Sequence, residues 1–262
     1  MSEPHPELRF DEDRAYDLGV DERTSLPATP WHFPGPEAWP ALAAEERPPF
    51  VAPRWEKELH RALTAGDPEA ILQVAARHPA HHATCEMLAG FLLAVDDPRR
   101  AAELLERVVV ERYDPLHDPF LRRYLPTAGA AVPLAAGIVV ELPLRRQLLA
   151  LAAAELLQRL GELDRAAAVL RRVPATTHVR LSLAEILLDA GRPEDVVAAT
   201  EGVFNDDDVT ALVLVFRAIA LARLGRRVEA ATTAERAAAE DRRSPEVLRL
   251  ADQVRKELGS SG

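Results

Sequence analysis

The sequence of 262 residues has one cysteine, two lysines and 12 glycines. With Cys85 alone, no intramolecular disulfide can form, which agrees with a reducing compartment. Long hydrophobic runs are missing too. The longest, AGAAVPLAAGIVV from Ala128 to Val140, has 13 residues and contains a proline, whereas a membrane-spanning helix needs about 20. The N-terminus, MSEPHPELRFDEDRAYDLG, has neither the basic nor the apolar region of a secretory signal. These absences predict a cytoplasmic protein with no membrane partner. There is no Gly-rich phosphate loop and no GxSxG. The arginine doublets Arg145-Arg146, Arg171-Arg172 and Arg226-Arg227 are scattered, and the pI is near 5.4. The electrostatic footprint of a nucleic-acid binder is therefore absent.

What is there is alanine (46), leucine (37) and arginine (30), all strong helix formers. The preference for arginine over lysine suggests GC-rich coding and a bacterial source. The length allows one or two domains with a core that needs no staples.

Charge divides the chain. The first 50 residues carry 11 acids and four bases, and ten of the 21 prolines lie before residue 54. Proline at this density breaks helices and ladders. Seven of the aromatics nevertheless lie in residues 1–55: Phe10, Tyr16, Trp31, Phe33, Trp39, Phe50 and Trp55. Disordered linkers are poor in such residues. Residues 1–53 are therefore expected to form an extended arm. Its rings Trp31, Phe33, Trp39 and Phe50 pack on the following helices or, alternatively, anchor a partner.

From residue 54 to 258 the pattern is helical, as in LLALAAAELLQRL and VLVFRAIALARL, with apolar residues at i, i+3, i+4 and i+7. The helices come in repeated pairs. Ala154, Leu157, Ala166 and Leu170 surround Gly161 at fixed offsets. The same offsets hold around Gly225 (Ala218, Leu221, Ala230, Ala234) and Gly191 (Ala184, Leu187, Val196, Thr200). They recur around Asp96 (Ala89, Leu92, Ala101, Leu105) and Gly66 (Leu59, Ala62, Ile71, Ala75). A small residue in each helix lets its partner approach, and the Gly or Asp turns the chain. GDPEAIL, DDPRRAAELL, GELDRAAAVL and GRPEDVV start the second helices, three of them with Pro in the first turn.

Over 57–258, and best at 147–174 and 211–240, these residues resemble the tetratricopeptide-repeat (TPR) family, although leucine and alanine replace its usual tryptophan and tyrosine. The resemblance implies an all-α solenoid of roughly ten to twelve helices in antiparallel pairs. It also implies a non-catalytic scaffold or adaptor that binds a protein or peptide in a groove lined by the first helix of each pair. The groove positions would be Glu86, Gly90, Leu151, Glu155, Leu181, Glu185, Val215 and Ile219, with Arg159, Arg180 and Arg223 as partners for the acids. The lysines and asparagines with which some TPR arrays clamp a C-terminal carboxylate are missing.

Residues 113–146, rich in proline, occupy one repeat slot without the pattern and read as an irregular insertion or degenerate repeat. Within them FLRRYL suggests a short helix and GIVVEL an extended piece. Residues 259–262, GSSG, read as a flexible tail. HPAHHATC places His78 four residues before His82, and His81 four before Cys85, so either pair could share a helix face and offer zinc ligands. No second ligand cluster follows, which predicts neither metal, cofactor nor enzyme activity. Two alternatives to the adaptor stay open: a ligand-responsive regulator whose arm blocks the groove, and a metal-dependent enzyme using that cluster.

Overall fold

Gly66, Gly161, Gly191 and Gly225, singled out by spacing, all have φ between +63° and +76°, the left-handed region where a Cβ is penalised. Each closes its helix with the same pair of bonds. At Gly161, its own N–H donates to the Gln158 carbonyl (2.9 Å) and the next N–H to the Leu157 carbonyl (2.8 Å). This arrangement satisfies carbonyls the helix leaves unpaired.

The computed structural model describes residues 33–135, 138–239 and 245–260. The glycine turns join α2 (Arg54–Thr64) to α3 (Pro68–Arg77), α7 (Arg146–Arg159) to α8 (Leu163–Leu170), α9 (Thr177–Asp189) to α10 (Pro193–Ala199), and α11 (Asp208–Arg223) to α12 (Arg227–Ala237). A fifth pair is α4 (His82–Leu93) and α5 (Pro98–Val110), and α13 (Pro245–Ser260) packs on α11 and α12. The fold is an all-α, TPR-like array of helix pairs. Aspartates cap several starts: Asp67, Asp97 and Asp207 accept from the N–H three residues on, at 3.0, 3.1 and 2.7 Å, and proline follows the first two.

The α4–α5 turn differs from the expected pattern. No residue in it is left-handed, and it is one residue longer than the glycine turns. The extra length leaves Val95 90 % exposed. A left-handed turn appears instead at the end of α5, on Arg112 (φ 61°), whose N–H donates to Val109 and whose successor's donates to Val108. Arginine there forgoes the freedom of glycine, which a left-handed residue needs at a cost of about 1 kcal/mol. Arg112→Gly is expected to raise stability by about that amount in urea denaturation.

Residues 113–146 do not occupy a repeat slot. Helix α5 packs directly on α7, as successive repeats do, so the segment loops out of the stack as an insertion. Arg–acid pairs running along the second helices confirm the continuity: Arg100 with Glu69, Arg165 with Glu106, and Arg192 with Asp164. The insertion holds α6 (Pro119–Tyr124) and an antiparallel hairpin of β1 (Gly129–Pro133) and β2 (Val139–Pro143), with Ala131 opposite Glu141. Side chains tie it down. The Tyr124 hydroxyl and Arg123 donate to one oxygen of buried Glu56 on α2, at 2.6 and 2.9 Å. The Thr84 hydroxyl on α4 donates to Asp118 at 2.6 Å. Burial and the Glu56 carboxylate push the Tyr124 phenol up to about 12.

The N-terminal segment also departs from expectation. It forms helix α1 (Trp39–Glu45), with Pro40 in the first turn and Trp39 and Ala43 buried. The Trp39 ring meets Phe91 edge-on at 5.2 Å, and its Nε1 donates to the Pro34 carbonyl at 3.0 Å. Phe33 lies against Gly129, where an added Cβ would come within 2.5 Å of the Phe33 Cβ. Phe50 does not pack. It is 95 % exposed, because PPF sits in the loop before α2, with the Lys57 ammonium over its ring. Trp31, Phe10 and Tyr16 lie outside the described residues. Helix α13 runs through Gly259 to Ser260, past the expected boundary at 258, and Ser261 and Gly262 lie outside the described residues.

Candidate functional site

A cleft of about 380 Å³ opens where the hairpin meets the array. One wall is the length of β1 from Ala130 to Pro133. Phe91, Leu92 and Val95, from the end of α4 and its long turn, line it as well. Leu105 of α5, Ala152 and Leu156 of α7, and Pro36 and Glu37 complete the lining with them. The lining is mainly apolar, as ligand clefts of this size usually are. Among its charged groups are Glu155 and Arg159 of α7. The Glu155 side chain is 21 % exposed and meets Arg159 at 3.5 Å. Its burial holds the carboxyl above the usual carboxylate range, against the pull of Arg159. A carboxylate so placed favours a donor or cation from outside.

The groove residues read from the sequence are not brought together. Glu155 and Arg159 line this cleft. Ile219 and Arg223 line another, of about 470 Å³, between α11, α12 and α13. Leu151, Leu181 and Val215 are buried to within 1 %; as partner contacts they are corrected to core positions, because the α7, α9 and α11 helices are covered on several sides. Gly90 is buried as well, and a Cβ there would lie 2.9 Å from Leu105 Cγ, so it serves the close crossing of α4 and α5. Glu86 is paired with Arg107 of α5 at 3.1 Å, and Glu185 accepts from Gln158 at 3.3 Å. Arg180 and Arg223 do not serve as partners for groove acids in the expected way. Arg180 donates to the Glu201 carbonyl (2.7 Å) and Arg223 to the Leu188 carbonyl (2.7 Å), which complements the negative ends of neighbouring helices.

The histidine cluster is divided among structural contacts. His81 stacks on Trp55 at 3.6 Å between centroids. His78 faces Glu58 at 3.4 Å. His82 Nδ1 meets the Pro79 carbonyl at 2.7 Å and its Nε2 meets Glu111 at 2.5 Å. Burial pushes the Cys85 thiol up to about 12, which keeps it protonated and unreactive. Among the described residues no group of three or more His, Cys, Asp or Glu side chains is placed to hold a metal ion.

The Pro79 carbonyl, then Glu111, hold the His82 pKa above its ordinary value. A raised folded pKa stabilises fully below the unfolded value of about 6.5 and loses that contribution as pH rises through the folded one. The stability difference between wild type and His82→Gln is therefore expected to be larger at about pH 5.5 than at about pH 8.5, read from paired thermal melts.

Among the cleft residues that sequence reading missed are Leu92, Val95 and the β1 edge. Val95 carries a weak signal, a large apolar residue in the turn Ala94-Val95-Asp96-Asp97. The edge carries none, since its place over α7 arises from contacts distant in sequence.

The tetratricopeptide repeat family model matches residues 177–201 and 211–236, which are the α9–α10 and α11–α12 pairs. These are TPR-like helical repeats, a class that generally mediates protein–protein interaction and is typically non-catalytic. The α7–α8 pair, one of the two best units by spacing, shares the geometry without being matched. No curated protein and no solved structure matches the chain. Among the described residues no helix is long and apolar enough to cross a membrane.

Proposed function

We propose that this protein is a non-catalytic, cytoplasmic adaptor that binds an apolar segment of a protein partner in the cleft beside the hairpin. The observation that carries the reading is the cleft itself: a largely apolar, open groove on a TPR-like array, with a partly desolvated carboxylate in its wall. The arginines of the other cleft support the choice. Arg223 and Arg227 already donate to the Leu188 and Leu258 carbonyls and have less to offer a ligand. Random peptides displayed on phage and selected on the immobilised protein test the reading. Enriched peptides should bind Val95→Arg and Glu155→Gln at least several-fold more weakly than wild type in fluorescence polarisation. Enriched peptides that ignore both changes and respond to Ile219→Arg would move the site to the other cleft. Failure to enrich any peptide would count against the adaptor reading.

A further inference from the structure

We infer that the cleft takes its partner as an added β strand, an extended peptide of alternating apolar and basic residues that pairs with the outer edge of β1. This rests on the cleft being the binding site and goes on to name the form and chemistry of what binds.

The hairpin register decides which backbone groups face outward. The Leu144 N–H donates to Ala128 and the Leu134 N–H to Ile138, so the even-numbered residues of β1 bond to β2. In an antiparallel ladder the alternate residues then point their N–H and C=O to the other edge. These are Gly129, Ala131 and Pro133. The chain itself has used the first position: the Gly129 N–H donates to the Pro34 carbonyl at 3.1 Å. Pro133 has no N–H and ends the run. Between them, Ala131 is exposed, and among the described residues its N–H meets no partner. One peptide residue can exchange both main-chain bonds with Ala131, as in strand addition to an exposed edge.

Side chains supply the rest. Successive residues of an added strand alternate in direction, so an apolar side chain directed at Phe91, Leu105 and Leu156 is flanked by neighbours pointing elsewhere. Glu155 and Glu37 both line the cleft, and among the described residues Arg159 is its one cation. Arg159 is 63 % exposed and holds Glu155 only at 3.5 Å. The charge excess calls for lysine or arginine on the incoming strand. An acidic peptide would meet two carboxylates and is disfavoured.

The probe is a fluorescein-labelled decapeptide of alternating valine and lysine, titrated into the full chain by fluorescence polarisation. Two further versions carry N-methyl groups, one on every valine amide and one on every lysine amide. Each keeps its side chains but blocks one edge of the strand. Strand addition requires one version to lose at least tenfold in affinity while the other binds as the parent does. Ala131→Pro removes the outward N–H, and because that group has no internal partner the fold should survive, as checked by circular dichroism. This variant should also lose at least tenfold. If Ala131→Pro misfolds, the methylated pair decides alone. A valine–aspartate decapeptide should bind at least tenfold more weakly than the parent.

Equal binding by both methylated versions, equal loss in both, or full affinity in folded Ala131→Pro would overturn strand addition. Where Val95→Arg still weakens the peptide, the adaptor reading stands without it. No binding of the valine–lysine peptide at millimolar concentration would overturn the proposed partner chemistry, leaving the displayed peptides to judge the adaptor reading. Tight binding of the aspartate peptide would reject the charge assignment.

Discussion

Replacing Trp39 with alanine is expected to destabilise the protein by about 3–5 kcal/mol, the range for truncating a fully buried large aromatic. Trp39 is 0 % exposed. Its ring edge packs on Phe91 at 5.2 Å, and its indole N–H is satisfied by Pro34. The substitution leaves a cavity between α1 and α4 and removes that hydrogen bond. Pro34 also receives the Gly129 N–H, so the damage should spread to the hairpin. The melting temperature should fall on the order of 10 °C. Hydrogen exchange should show faster loss of protection at Leu42 and Gly129 than in α11. A loss below about 1 kcal/mol would mean that residues 33–46 are not held by the array. Because Phe91 also forms part of the cleft, a large loss should coincide with weaker binding of any cleft ligand.

Gly129→Ala is expected to cost about 3 kcal/mol, at the upper end of overpacking. A Cβ there would stand 2.2 Å from the Leu142 carbonyl oxygen and 2.5 Å from the Phe33 Cβ. The first is backbone and cannot turn aside, so β1 and β2 must separate or Phe33 must leave. Gly161→Ala provides the comparison. Among the described residues a Cβ at Gly161 meets nothing within 4 Å, and its φ of +76° is what opposes the change, for about 1 kcal/mol. Urea denaturation of the two variants separates crowding from backbone strain. Equal losses would show that the close approach at Gly129 is relieved by small shifts. A Gly129 variant that stays folded should also expose the hairpin edge differently and change peptide affinity, whereas Gly161→Ala should not.

Local rules reach far in this chain. The residues at the fixed offsets around Gly161, Gly191 and Gly225 are all buried to within 1 %, because the turn and the two small-residue contacts are set by neighbours a few positions away. The aspartate caps at Asp67 and Asp97 follow from the same short-range chemistry. Local rules stop at the question of which helix face looks outward. Leu148 through Ala154 are buried without a break, and so are Val209 through Val215. A helix apolar all round carries no stripe from which to read its orientation. Leu151 and Val215 therefore look like groove residues in the sequence and are core in the fold.

The sequence by itself determined the helix pairs, the four glycine turns and the aspartate caps, since each depends on backbone preferences and side chains within one or two turns, while the α4–α5 turn escaped it. Tertiary structure alone decided that 113–146 loops out while α5 packs on α7, and that arginines such as Arg180 and Arg223 close the ends of other helices. It alone decided that β1 lies along α7 with Ala131 facing a cleft. Those outcomes depend on surfaces brought together across tens of residues: burial of apolar area is non-directional, so composition shows that it will occur without showing which partner each face will find.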